Sequence, residues 1–250
     1  MKNAFAAIMF LLLCTVLIFP GCSGPAANKV VVATNANWPP FEYVNEKTKQ
    51  LEGFDIDLMN EIANKAGLKL DYRNVDFEAL LSGMSSCTYD AAISSITITE
   101  ERKQTIAFSE PYIIAGQVVV VSNDNSDIKG KDNLGGKLVG AQTGTTGAAE
   151  VKKIPGATLK TYDQIDAAYR DLLDKKLDAV VSDNPVALAY VGKNPGQLKM
   201  VGTIFTSEYY GIAVCKNNPE LLARINAGLK ACLDEELIDK LITKWLSTQQ

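Results

Sequence analysis

Histidine is absent from the 250-residue sequence. The commonest general base and the commonest metal ligand are therefore missing, which weighs against a hydrolase and against a zinc enzyme. The five cysteines form no cluster with metal-site spacing. No basic block occurs anywhere, and the formal net charge is −4, so there is no electrostatic footprint for nucleic acid or for an anionic membrane surface. The glycine-rich stretch QTGTTG lacks both GK[ST] and GxGxxG, which excludes a phosphate loop or dinucleotide fingerprint there; no cofactor and no metal are expected. What is present is ordinary: 47% hydrophobic and 22% charged residues suit a globular protein with a buried core, in one large domain or two lobes.

The first residues stand apart. Lys2 precedes an apolar run from Ala4 to Phe19, followed by Pro20, Gly21 and Cys22. Residues 1–21 read as a secretory signal, too short and too weakly flanked to be preferred as a membrane span. Gly21 before Cys22 resembles the lipobox of bacterial lipoproteins, in which the cysteine becomes the lipidated first residue of the mature chain; Phe19 and Pro20 depart from its usual residues. Acylation of Cys22 would leave Cys87, Cys215 and Cys232, an odd number of thiols for an exported protein. Whether Cys215 and Cys232 pair is open from sequence alone.

The mature chain alternates strand and helix. KVVVAT is a short buried strand feeding the loop NANWPPFEY, where Phe41 is assigned to packing and Trp38 to a ligand wall. FDIDLMNEIANKA spaces Phe54, Leu58, Ile62 and Ala66 as one helical face, with Gly67 as its stop. LKLDYRNV, DFEALLSGMSS and AAISSITIT follow as strand, helix and strand, arguing for a βαβ-built parallel sheet. After the apolar strand GQVVVVSN and a polar loop, a second α/β alternation runs to LKMVG. EYYGIAVCK then leads to closing helices from Pro219 to Leu246. Two α/β halves joined by two extended segments predict lobes with a double crossover: residues 28–119 and 210–250 in one, 120–209 in the other.

Three features carry chemistry. In DAAISSITITEER, Ser94, Ser95 and Thr97 precede Arg102, whose planar guanidinium offers two parallel donors to a carboxylate; the alternative is an edge strand with a solvated arginine. QTGTTG follows a strand and opens a helix, an anion-binding geometry or a plain Gly-Thr turn. Asp183 sits at a strand end before Asn-Pro, as a helix cap or a ligand group.

Together WPPFEY, GFDIDL, DAAISSITITEERK, FSEPY, QTGTTG, DAVVSDNPVA and YYGIAV resemble, in order and spacing, the bacterial extracellular solute-binding proteins of polar amino acid ABC transporters, family 3, over roughly residues 29–246. The resemblance implies the periplasmic-binding-protein type II fold, an α/β Venus flytrap of two lobes with a double-crossover hinge, closing on one free L-amino acid. It implies that Arg102 grips the ligand α-carboxylate with help from Thr97, Thr145 and Thr146. Asp183, the Ser95 carbonyl and Thr97 receive the α-ammonium. Trp38 and Phe77 flank the side chain, and Asn35, Ser94 and Gln142 meet its polar tip. Asp183 and Arg102 then match the two charges of a zwitterion. Many family members carry Asp where this chain has neutral Asn35, which favours glutamine, with arginine second because two aromatic rings can stack on a guanidinium.

The implied partners are a free amino acid, the permease of an ABC transporter, and a membrane through a lipid on Cys22. The chain is expected to be a periplasmic or cell-surface monomer that binds no nucleic acid. Cyclohexadienyl dehydratases resemble these proteins and are the enzymatic alternative; they need a general acid, and none is evident once Asp183, Arg102 and the hydroxyls are assigned. A sensory receptor module would share the pocket but be fused to a membrane helix and signalling domain. This chain ends at Gln250 after an amphipathic helix, which favours a free carrier.

Overall fold

The computed structural model describes residues 29–246; the expected signal segment, residues 1–21, and Cys22 lie outside them. Chain order is β1 (Val30–Thr34), β2 (Asn37–Trp38), β3 (Glu42–Val44), β4 (Leu51–Glu52), α1 (Phe54–Ala66), β5 (Leu70–Asn74), α2 (Phe77–Ser85), β6 (Ala91–Ala92), α3 (Glu100–Lys103), β7 (Ile106–Phe108) and β8 (Ile113–Ala115). It continues through β9 (Gln117–Ser122), β10 (Leu138–Gln142), α4 (Thr146–Lys152), β11 (Thr158–Tyr162), α5 (Ile165–Leu173), β12 (Ala179–Asp183), α6 (Asn184–Lys193) and β13 (Leu198–Val201). The last elements are β14 (Glu208–Tyr210), β15 (Ala213–Cys215), α7 (Pro219–Asp234) and α8 (Leu237–Trp245).

Two five-stranded sheets form the two lobes, in orders β5-β1-β6-β15-β7 and β11-β10-β12-β9-β13. Each is mixed rather than purely parallel. In the first, β1 runs parallel to β5 and β6 while β15 is antiparallel to β6 and β7. In the second, β9 is antiparallel to β12 and β13. The reversed strands lie beside the crossovers: a segment returning from the other lobe enters against the direction of the βαβ units.

Between the sheets, β8 and β14 pair antiparallel as a two-stranded hinge, with Tyr210 opposite Ile113. The expected boundary at Val119 falls inside β9, which belongs to the second sheet from Gln117 onward. Val118–Val121 cannot stay in the first lobe because they pair with β12 and β13 and are buried there.

Strand β1 shows why the apolar runs are continuous. Val32 packs with Leu58, Met59 and Ile62 of α1 and with Ile225 and Leu229 of α7. Ala33, its neighbour, faces the other way onto Leu80 and Met84 of α2. Both faces of the sheet are covered, so alternation is lost, and each large side chain so buried contributes roughly 1.5–3 kcal/mol. Helix α1 buries Phe54, Leu58 and Ile62 along one stripe and stops at Gly67, whose left-handed φ of 61° suits a residue without Cβ.

The stretch expected as the strand AAISSITIT is one only at Ala91–Ala92. Beyond it Ser95 takes a φ of 47°, held there by its N–H donating to buried Asp55 Oδ2 at 2.7 Å. This break carries Ser94, Ser95 and Thr97 off the carboxyl end of β6, the central strand of its sheet. Cys87 and Cys215 form a disulfide that ties the turn after α2 to the end of β15, and Cys232 is a buried free thiol. The pairing left open in the sequence is thus Cys215 with Cys87, not with Cys232.

Candidate functional site

Four parallel strands aim their carboxyl ends at the gap between the lobes, where ligands of α/β sheets bind. Asn35 follows β1, and Ser94, Ser95 and Thr97 follow β6. Gln142 ends β10 and Asp183 ends β12. The linking segments supply Trp38 on β2, Phe77 at the start of α2, Arg102 on α3, and Thr145 and Thr146 at the start of α4. All eleven side chains singled out from the sequence line one narrow cleft enclosing about 290 Å³ of atom-free space, together with Glu42 of β3.

Arg102 is set by local chemistry. Thr99 caps the single turn of α3, its Oγ1 accepting from Arg102 N at 3.1 Å. The guanidinium lies 5.6 Å from the centre of the Phe77 ring. It donates through Nη1 to Thr97 O at 2.6 Å and through Nη2 to Gly144 O at 3.0 Å. Gly144 has a φ of 77°, a conformation glycine takes at little cost, within the turn that carries this carbonyl. One cation therefore touches both lobes. Burial lowers the Arg102 pKa from its ordinary value, and the charges of Asp183 and Glu208 oppose that shift.

Asp183 occupies the N-cap position of α6 yet makes no capping bond. Its Oδ1 accepts from Gln117 Nε2 at 2.8 Å and its Oδ2 from the Tyr210 hydroxyl. Burial, then the nearby Glu208 charge, pushes its pKa up to about 6 against the hydrogen bonds and Arg102. A desolvated carboxylate turned away from its own helix end is poorly placed as a cap and well placed for a cation.

The threonines are committed differently from expectation. Thr145 Oγ1 donates to Gln142 O at 2.7 Å and accepts from Ala148 N at 3.2 Å, so it is the α4 cap. Thr146 Oγ1 and Thr97 Oγ1 both donate to one oxygen of Glu208, at 2.8 and 2.7 Å. Glu208 sits on hinge strand β14 and thereby joins a hydroxyl from each lobe. None of the three hydroxyl protons is left over.

At the other end, Gln142 Nε2 reaches across the cleft to Asn35 Oδ1 at 2.8 Å. Ser94 Oγ donates to Glu42 Oε1 at 2.9 Å and accepts from Asn35 N at 2.9 Å. Glu42 and Asp55 are both fully buried and face each other. Burial, then the Asp55 charge, raises the Glu42 pKa well above its ordinary value; burial raises Asp55 to about 6. The sequence reading found no spare acid in the site, and Glu42 corrects it. Glu42, Asp55, Gln117, Glu208 and Tyr210 were all missed. Glu42 and Glu208 carry a faint signal, the first flanked by aromatics in FEY and the second followed by two in EYY; Asp55 looks like an ordinary first-turn helix charge. Among the described residues no cluster of metal-ligating side chains occurs.

A family model described as bacterial extracellular solute-binding proteins, family 3, matches residues 30–248. The chain belongs to this family. It is 33% identical to a probable histidine-binding protein of Neisseria gonorrhoeae, over 100% of this chain and 97% of that protein. It matches an ancestral arginine-binding protein solved with arginine bound, at TM-score 0.83 and 43% identity, over 87% of this chain and 97% of the other. The figures are the same for the form bound to glutamine. An ancestral amino acid-binding protein, a precursor of cyclohexadienyl dehydratase, matches at TM-score 0.80 and 34% identity over 87% and 95%.

This solute-binding protein is extracytoplasmic by family, and its two lobes are those of the type II periplasmic binding proteins.

Proposed function

We propose that this solute-binding protein captures a free polar L-amino acid and delivers it to the permease of an ABC transporter. The observation that carries the reading is the placement of Arg102 and Asp183 in one buried cleft, on different lobes. A zwitterion brings a carboxylate to the first and an ammonium to the second, so neither protein charge stays desolvated without a partner. Trp38 and Phe77 flank the ligand side chain, and Asn35, Ser94 and Gln142 lie around its tip. The amino-acid-binding relatives support the same class. Cys22, beyond the described residues, is the lipid anchor in this reading; Cys22→Ser should release the protein from the membrane fraction.

The test is a thermal-shift screen against the twenty amino acids. A ligand at a hundred times its dissociation constant stabilises by about 2.7 kcal/mol, a clear shift in midpoint. No shift with any of them would sink the amino-acid reading. The similarity to a dehydratase precursor and the acid Glu42 on the cleft wall favour one second reading, an eliminating enzyme. The Glu42 carboxyl is already engaged by Ser94, Ser95 and Asp55, a poor arrangement for delivering a proton to a leaving group. Turnover of prephenate or arogenate would overturn the binding reading in favour of catalysis.

A further inference from the structure

The hydrogen-bond directions at the tip of the cleft are fixed by groups that can only accept. Asn35 Nδ2 donates to the Val75 carbonyl at 2.8 Å, so its Oδ1 faces Gln142. Gln142 Nε2 meets that Oδ1 and the Asp163 carbonyl at 2.9 Å, which uses both its protons and leaves its Oε1 open. Ser94 spends its proton on Glu42 Oε1, and Ser95 Oγ points its own at Glu42 Oε2 over 3.4 Å. Each of these side chains therefore presents lone pairs to a ligand. Among the described lining side chains, the donors left over besides those of Arg102 are the indole Nε1 of Trp38 and the second proton of Asn35 Nδ2, whose first goes to Val75 O.

Behind the serines, Asp55 Oδ2 accepts from Ser95 N and from the Tyr112 hydroxyl, at 2.7 and 2.9 Å. Its Oδ1 is buried with no donor, facing the Glu42 carboxyl. Two carboxyls in contact hold one proton between them, so the pair leaves one negative charge beneath the serine wall. Acidic groups thus outnumber Arg102, the one cationic side chain lining the cleft among the described residues, with Asp183 beside it.

We propose that Glu42, acting through Ser94 and Ser95, is the positioning residue that makes this cleft select a cationic, multi-donor side chain such as a guanidinium. The inference rests on the amino-acid reading above and reverses the preference for glutamine that neutral Asn35 suggests. A guanidinium between Trp38 and Phe77 offers only donors to a wall of acceptors. The carbonyl of glutamine, or of citrulline, meets mostly lone pairs there, with only Trp38 Nε1 and one Asn35 Nδ2 proton to satisfy it.

Calorimetry with arginine, citrulline and glutamine on the full chain and on Glu42→Gln tests this. Arginine and citrulline share a shape and differ in charge and in one donor-to-acceptor exchange. The wild type should bind arginine at least tenfold more tightly than citrulline, and Glu42→Gln should narrow that ratio at least fivefold. A merely structural glutamate would change the melting temperature or all affinities together and leave the ratio alone, which would overturn the proposal. Should Glu42→Gln fail to fold, Ser94→Ala removes one acceptor of the same wall, and an unchanged ratio there would count equally against it. Glutamine or citrulline matching arginine in the wild type would overturn the selectivity while the amino-acid reading stands. Binding of none of the twenty amino acids would remove both.

Discussion

Arg102→Ala probes the cleft most directly, and its cost can be worked from the contacts. The guanidinium has three tasks: it spans Thr97 O and Gly144 O from opposite lobes, it lies over Phe77, and among the described residues it is the sole side-chain cation lining the cleft. Truncation leaves a ligand carboxylate desolvated without its partner, which costs about 2–5 kcal/mol. At 1.4 kcal/mol per decade that is roughly a thirtyfold to several-thousandfold loss of affinity, with a loss of at least about thirtyfold expected. Arg102→Lys keeps the charge but has no planar fork to span two carbonyls and a carboxylate together, so it should fall between the two. A second signature follows from Asp183, whose raised pKa is already opposed by Arg102. Without that cation the Asp183 pKa rises further, and residual binding by Arg102→Ala should titrate at a higher pH than in the wild type. Calorimetry at several pH values reads both effects. Near-wild-type affinity in Arg102→Ala would refute the carboxylate assignment.

The remaining expectations concern pH and covalent structure. Asp183 must be ionised to hold an ammonium, and its pKa in the free protein is about 6; affinity should be full above about pH 7 and fall as pH drops through 6, and a flat profile from pH 7.5 to 5 would contradict the ammonium assignment. The same shift acts oppositely on the unliganded fold. Between the ordinary carboxyl value of 3.8 and about 6, folded Asp183 and Asp55 hold protons that the unfolded chain releases, so unfolding free energy should decrease as pH rises across that window and level off above it. Denaturant melts at pH 4.5 and 7 would show it. The Cys87–Cys215 disulfide closes a separation of 128 residues; replacing both with alanine should cost about 2–5 kcal/mol, and an unchanged urea midpoint would mean the bond constrains nothing that unfolding releases.

Local rules written into the chain identify much of this protein. The one-sided spacing of Phe54, Leu58 and Ile62, the Gly67 stop and the strand–helix alternation require no knowledge of neighbours. Strand ends are equally legible, and with them the cleft residues that sit there, from Asn35 to Asp183. Thr145 illustrates the limit: its position before a helix marks it as useful, yet both capping and ligand binding satisfy the same local pattern. Only the packed structure shows its hydroxyl already taken by Gln142 O and Ala148 N.

What tertiary structure decided is where charges meet over long separations. Glu208 joins Thr97, 111 residues away, to Thr146, 62 residues away. Glu42 and Asp55 come together beneath Ser94 and Ser95, though in sequence each is one acid among 29. Burial turns those acids from surface charge into groups with shifted protons and fixed partners, and burial is a property of the assembled lobes. Cys215 chose Cys87 because folding the sheet brought their Cα atoms to 5.0 Å, a distance that spacing along the chain cannot encode. Strand–helix alternation is readable from the chain alone, and it puts Asp183 at a strand end and Arg102 shortly after another. The folded chain alone decided which protons the cleft can still offer.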